Sequence, residues 1–222
     1  TAALGANTTG ITNSAVGRQA LQENTTGSYN NAFGYLTLQN NTTGSRNVGL
    51  GYSCLRNNTT GGDSVAIGYS TVNAQTTGNN NIGIGMEALR YNQTGSNNVA
   101  IGVDALENNT VSNNTAVGHN ALKASTTGTR NTAVGYTSGA AITTGNYNAA
   151  FGSNYSLGRN TTGSYNAAFG DGALAYNTTA SHNVAVGQAA LHGNTTGEGN
   201  TGLGYFAAGN NTTGYGNTAV GR

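Results

Sequence analysis

One cysteine, three histidines and seven carboxylates are the residues of this 222-residue chain suited to nucleophilic, acid–base or metal chemistry. They are Cys54; His119, His182 and His192; Asp63, Asp104 and Asp171; and Glu23, Glu87, Glu107 and Glu198. A catalytic or metal centre needs several such groups converging on one place. Short Cys/His spacings of the zinc type and a phosphate-cradling glycine loop between a strand and a helix are both missing from the sequence. The carboxylates stand at variable positions, which reads as solvated surface. Glu87 and Asp104 form the one acidic pair expected to lie close, where a cation could sit, but no third ligand accompanies them. A lone Cys54 excludes an intrachain disulfide and reads as a small buried filler. The expectation is a non-enzyme that uses no cofactor and no metal.

Threonine offers a different chemistry. The segment NTTG occurs at 24–27, 41–44, 58–61, 160–163, 194–197 and 211–214. Its NTT matches the N-glycosylation acceptor pattern, yet it recurs as a structural turn built from local hydrogen-bonders. The second threonine forms a row: Thr9, Thr26, Thr43, Thr60, Thr77, Thr94, Thr127, Thr144, Thr162, Thr179, Thr196 and Thr213. Regular Thr arrays on a flat solenoid face build several antifreeze proteins, so ice binding is the alternative function. Adjacent threonines in an extended chain face opposite ways, so only one of the two columns points outward. The two-row T-x-T pattern is missing.

These residues hang on a repeat. A glycine recurs at 17, 34, 51, 68, 85, 102, 118, 135, 152, 170, 187, 204 and 221, a 17-residue period with one step of 16 and one of 18. Such self-similarity marks a stacked architecture. Charged residues are 7% of the chain, against about a quarter in ordinary domains. With net charge +1 and no basic stripe, nucleic acid is excluded as a partner. No apolar run is long enough to span a membrane.

Each copy is numbered from its asparagine, as in Asn13 to Tyr29. The third column is always small: Ala15, Ala32, Gly49, Ala66, Gly83, Ala100, Ala116, Ala133, Ala150, Ala168, Ala185, Gly202 and Ala219. The fourth is always large and apolar: Val16, Phe33, Leu50, Ile67, Ile84, Ile101, Val117, Val134, Phe151, Phe169, Val186, Leu203 and Val220. Neighbours in a strand point to opposite faces. The large column is therefore expected to fill the core, and the small column to form a close subunit seam. The eighth and ninth columns repeat the small-then-large pattern, as in Ala20-Leu21. Two glycines per copy leave no room for a helix.

The fold expected is all-β: a β-solenoid (parallel β-roll) of thirteen 17-residue coils, residues 1–222 forming a single domain. The first-column asparagines (Asn13, Asn30, Asn47, Asn81, Asn98) should form an amide ladder. Residues one repeat apart should touch, so charges sharing a column should alternate. Arg46 and Asp63 do so in the seventeenth column, and Arg90, Glu107 and Lys123 in the tenth. The sixth column places Tyr35, Tyr52 and Tyr69 in successive copies, where stacked rings could pack together or hold sugars. The two irregular copies, at NTVS (109–112) and SNYSLGRN (153–160), fall in connecting stretches and should reshape the surface locally.

The SVAIG of residues 64–68 resembles the head repeats of trimeric autotransporter adhesins. The longer NTAVG…AL…NTTG form resembles repeats of phage tail fibres. The resemblance implies a left-handed parallel β-roll with three chains side by side. It covers all thirteen copies, departing in coil length and in the NTTG turn. No atypical capping copy stands at either end, so the chain reads as a segment of a longer protein. The expected function is a stiff spacer or attachment shaft in a homotrimeric virion fibre or cell-surface adhesin. Any host receptor or glycan would be met through regions outside this segment.

Overall fold

In a computed structural model that describes residues 2–222, the chain is a parallel β-solenoid of thirteen coils with about 17 residues per turn. Among the described residues there is no helix. The chain divides at the shortened copy into two compact units, residues 1–113 and 114–222. In the first unit, β1 (Ser14–Val16), β2 (Asn31–Phe33), β3 (Val48–Tyr52), β4 (Val65–Tyr69), β5 (Ile82–Ile84) and β6 (Val99–Ile101) pair in sequence order. In the second, β7 (Thr115–Val117), β8 (Thr132–Val134), β9 (Ala149–Phe151), β10 (Ala167–Phe169), β11 (Val184–Val186), β12 (Thr201–Leu203) and β13 (Thr218–Val220) do the same. Register is one repeat: Ala15 lies opposite Ala32, and Gly51 opposite Gly68.

The strand is short because the coil turns its corners in left-handed backbone. The fifth-column glycine comes first, with φ of +125° at Gly17. A Cβ there would stand 2.6 Å from the Gly34 carbonyl oxygen, so both conformation and space demand glycine. Non-glycine residues then take positive φ in the seventh, ninth and seventeenth columns, as at Gln19 (62°), Leu21 (50°) and Tyr29 (61°). Each costs on the order of 1 kcal/mol. Inter-coil hydrogen bonds hold these corners, with Leu21 N–H donating to Thr37 O at 3.0 Å and Tyr29 N–H to Ile11 O at 3.0 Å.

The two faces of the strand are reversed from the sequence expectation. The large residues Val16, Phe33, Leu50, Ile67, Ile84, Ile101, Val117, Val134, Phe151, Phe169, Val186, Leu203 and Val220 point outward and are exposed or half-buried, with 60% of Val16 and 48% of Leu50 in solvent. They are not the core. The small column faces the coil's own interior: Ala32, Gly49, Ala66, Gly83, Ala100, Ala116, Ala133, Ala150, Ala168, Ala185 and Gly202 are buried, while Ala15 and Ala219 are half-buried. Closed off inside its own chain, this column is unavailable as a subunit seam. The physical reason is width. A 17-residue coil encloses a narrow space, and the ninth-column leucines fill it from the far wall.

Leu21, Leu38, Leu55, Leu89, Leu106, Leu122, Leu157, Leu174 and Leu191 are fully buried and form that core. Val72 replaces leucine in one coil. In another the filling is transposed: Gly139 occupies the leucine place, and Ile142, three residues on, takes the place of an asparagine. A Cβ on Gly139 would approach Ile142 Cδ1 at 3.1 Å, so the isoleucine occupies the space the leucine would have used.

Asparagine supplies two ladders. In the first column Nδ2 donates to a turn carbonyl, Asn30 to Gly44 O at 2.8 Å, and Oδ1 accepts the next coil's backbone N–H, from Asn47 at 3.0 Å. In the second unit this column also bonds amide to amide, Asn148 Nδ2 to Asn131 Oδ1 at 3.1 Å and Asn166 Nδ2 to Asn148 Oδ1 at 3.2 Å. A second side-chain ladder lies in the twelfth column, the Asn of NTTG. Asn41 Nδ2 donates to Asn24 Oδ1 at 2.8 Å and to Gly44 O at 2.9 Å, and Asn58 Nδ2 donates to Asn41 Oδ1 at 2.7 Å. Buried amides whose donors and acceptors meet this way offset their desolvation.

Candidate interaction surfaces

Three outward surfaces arise from these columns. The first is the outer face of the strands. Its second and fourth columns carry Val48, Val65, Ile82 and Val99 beside Leu50, Ile67, Ile84 and Ile101 in the first unit. The sixth column adds Tyr35, Tyr52 and Tyr69: Tyr35 meets Tyr52 tilted at 5.5 Å between centroids, and Tyr52 stacks on Tyr69 at 4.9 Å. Tyr69 is half in solvent. The second unit repeats the face with Val184, Val186 and Phe169, and Phe151 and Phe169 stack at 4.9 Å. Soluble chains seldom leave so continuous an apolar stripe uncovered without a use for it.

The second surface is the threonine row. The two Thr columns part as alternation requires. In the thirteenth, Thr25 Oγ1 donates to Thr42 O at 3.0 Å and Thr42 Oγ1 to Thr59 O at 3.0 Å, tying coil to coil. In the fourteenth, Thr9, Thr26, Thr43, Thr60, Thr77, Thr94, Thr127, Thr144, Thr162, Thr179, Thr196 and Thr213 are all exposed. The asparagines of the NTT triplets at 24, 41, 58, 160 and 194 are fully buried, which closes those amides to modification in the folded chain.

The third surface carries the charges and the off-beat copy. Arg46 and Asp63 meet as the column stacking requires, Nε to Oδ1 at 2.5 Å and Nη2 to Oδ2 at 2.8 Å. The Arg46 hydrogen bond holds the Asp63 carboxyl below its ordinary range. In the tenth column Arg90 reaches Glu87 of its own coil at 2.7 Å. The Glu87 carboxylate therefore faces a guanidinium, and among the described residues no group of three or more His, Cys, Asp or Glu side chains could hold a metal ion. His119 stacks on Tyr136 and His182 on Tyr165, at 5.4 and 5.1 Å. Cys54 is buried in the eighth column with Sγ 3.2 Å from Gly68 O, and burial pushes its thiol up. The lengthened copy forms a recess bounded by Tyr155, Arg159, Tyr176 and His192. No helix among the described residues is long and apolar enough to cross a membrane.

These features define the class: a tandem-repeat β-solenoid with an apolar outer wall. No family model, no curated protein and no solved structure matches the chain. The likeness of Ser64–Gly68 to adhesin head repeats therefore rests on the residues themselves.

Proposed function

We propose that the chain is a structural repeat segment of a homotrimeric fibre or surface adhesin, acting outside the cell or on a virion as a stiff spacer or attachment shaft. The observation that carries this reading is the apolar outer strand face, from Val16, Phe33, Leu50 and Ile67 onward. Covering it with copies of the same chain removes that area from water at about 25 cal/mol per Å². Copies of one chain aligned in register also present matched coils to one another along the stripe. The resemblance to adhesin head repeats sets the number of chains at three. Nothing in this role calls for catalysis or a cofactor.

Light scattering tests it. The expected mass is three times the 22.2 kDa of one chain. Leu50→Asp and Ile67→Asp together place carboxylates in the covered stripe and should shift the mass toward one chain. A wild-type mass of one chain at micromolar concentration would overturn the trimer.

The exposure of the whole fourteenth threonine column favours a second reading, ice binding through that row. Thermal hysteresis, abolished by Thr43→Lys with Thr60→Lys, would support it. Freezing behaviour equal to that of a control protein would remove it.

A further inference from the structure

The lengthened copy reshapes one corner of the second unit. In the first unit the tenth column carries long side chains such as Gln22, Gln39, Arg56 and Arg90, but around the lengthened copy it is cut back to Ala140, Gly158 and Ala175 in three successive coils. The extra residue goes into the corner before Gly158, where Asn154 and Tyr155 both take left-handed backbone, with φ of 48° and 64°. Tyr155 is thereby laid across Gly158, whose missing Cβ would stand 2.5 Å from the Tyr155 Cβ. The result is a recess of about 190 Å³ lined by Asn154, Tyr155, Arg159, Ala175, Tyr176 and His192.

Its chemistry is specific. The Arg159 guanidinium lies 4.2 Å over the Tyr176 ring, and His192 meets the same ring edge-on at 4.9 Å. A guanidinium stacked on a ring keeps its N–H donors in the plane and free to fork onto a carboxylate. Arg159 takes part in neither ion pair among the described residues, and no Asp or Glu lines the recess. The side-chain amide of Asn154 and the hydroxyls of Tyr155 and Tyr176 make no hydrogen bond to any described residue. Rings offer flat apolar walls to the C–H faces of a pyranose, and amide and phenol groups meet its hydroxyls. We infer that this recess binds a carboxylate-bearing sugar, the carboxylate on Arg159 and the ring against Tyr155. The residues belong to the corner columns and leave the outer strand face free.

Saturation-transfer NMR titrations of the full chain with glucuronate, N-acetylneuraminate, glucose and acetate test the inference. Saturable binding of one or both sugar acids is expected, and the tighter of the two identifies the source. Glucose and acetate each supply half of the recognition and should bind about tenfold or more weakly. Arg159→Gln should bring the sugar acid down to the level of glucose. Gly158→Ala, which displaces Tyr155, should weaken sugar acid and glucose alike. Binding of acetate as tight as that of the sugar acids would overturn the inference. So would an unchanged affinity in Arg159→Gln, or no saturable binding by either sugar acid. The wild-type ligand series decides the question even if a variant fails to fold.

Discussion

Thr37 and Gly49 share one space. Thr37 stands in the eighth column of one coil and Gly49 in the third column of the next, and a Cβ on residue 49 would fall on the Thr37 γ-methyl. The same exchange recurs where a Cβ on Gly83 would stand 2.5 Å from Val72 Cγ2 and 2.8 Å from Thr71 Cγ2. At these two positions the glycine of the small column answers the size of the side chains across the coil.

Gly49→Ala should therefore destabilise the chain by about 1–3 kcal/mol through overpacking. Adding Thr37→Ala should return most of that loss. It would also remove the Thr37 Oγ1 bond to Gly51 O at 2.8 Å, worth about 1 kcal/mol. Urea unfolding of the four chains of the cycle measures the coupling. Strict additivity would refute the shared space.

Ser125 lies in the twelfth column with its hydroxyl buried and unpartnered, because the next coil offers Ile142 in place of an amide. Ser125→Ala should raise stability by about 1–3 kcal/mol, the desolvation cost of that oxygen. The double exchange Gly139→Leu with Ile142→Asn restores the common pattern. Leucine is tolerated in left-handed backbone in this column, with φ of 50° at Leu122. The double variant should unfold at a higher denaturant concentration than Ile142→Asn alone.

Cys54 should resist a maleimide in the native chain at pH 8 and react within the mixing time once unfolded. Burial raises its pKa in the fold. Its contribution is whole below the unfolded thiol's range and is lost as pH rises through the folded value. Melting temperature should fall more steeply above pH 8 for the wild-type chain than for Cys54→Ala. Parallel curves would contradict this.

The Arg46–Asp63 pair runs the other way. Asp63 has a depressed pKa in the fold, chiefly through its hydrogen bond to Arg46. Its contribution is present above the ordinary carboxylate range and disappears as pH falls through the folded value. The side chains are 62% and 38% exposed, so salt screens the pair and the effect is small. Wild type should melt slightly above Asp63→Asn at pH 6 in low salt, and the gap should narrow as pH falls below the ordinary carboxylate range.

The coil period, the fifth-column glycine and the Arg46–Asp63 contact were legible in the residues, since each follows from spacing alone. The sense of inside and outside was not, because strand alternation assigns two faces without saying which is enclosed. A clue lay in the tolerance of each column. Val16 and Phe33 alternate in adjacent coils, a change in volume that a close-packed interior would not accept. The near-constancy of Ala and Gly at 15, 32 and 49 is what tight enclosure produces. The leucine core at 21, 38 and 55 was visible as a pattern, but its place depended on that same choice. The recess at Tyr155 depends on two left-handed residues in succession, which a one-residue insertion signals without describing.

The twelfth-column ladder has a consequence for chain length. Asn24, Asn41 and Asn58 are chemically identical, and each donates to its predecessor and accepts from its successor. Removing a whole 17-residue copy would seat Asn58 on Asn24 with every bond remade, and duplicating one would do the same. Such a stack carries no internal count of its members. As far as this ladder is concerned, length becomes something recombination can adjust in whole coils, like links in a chain.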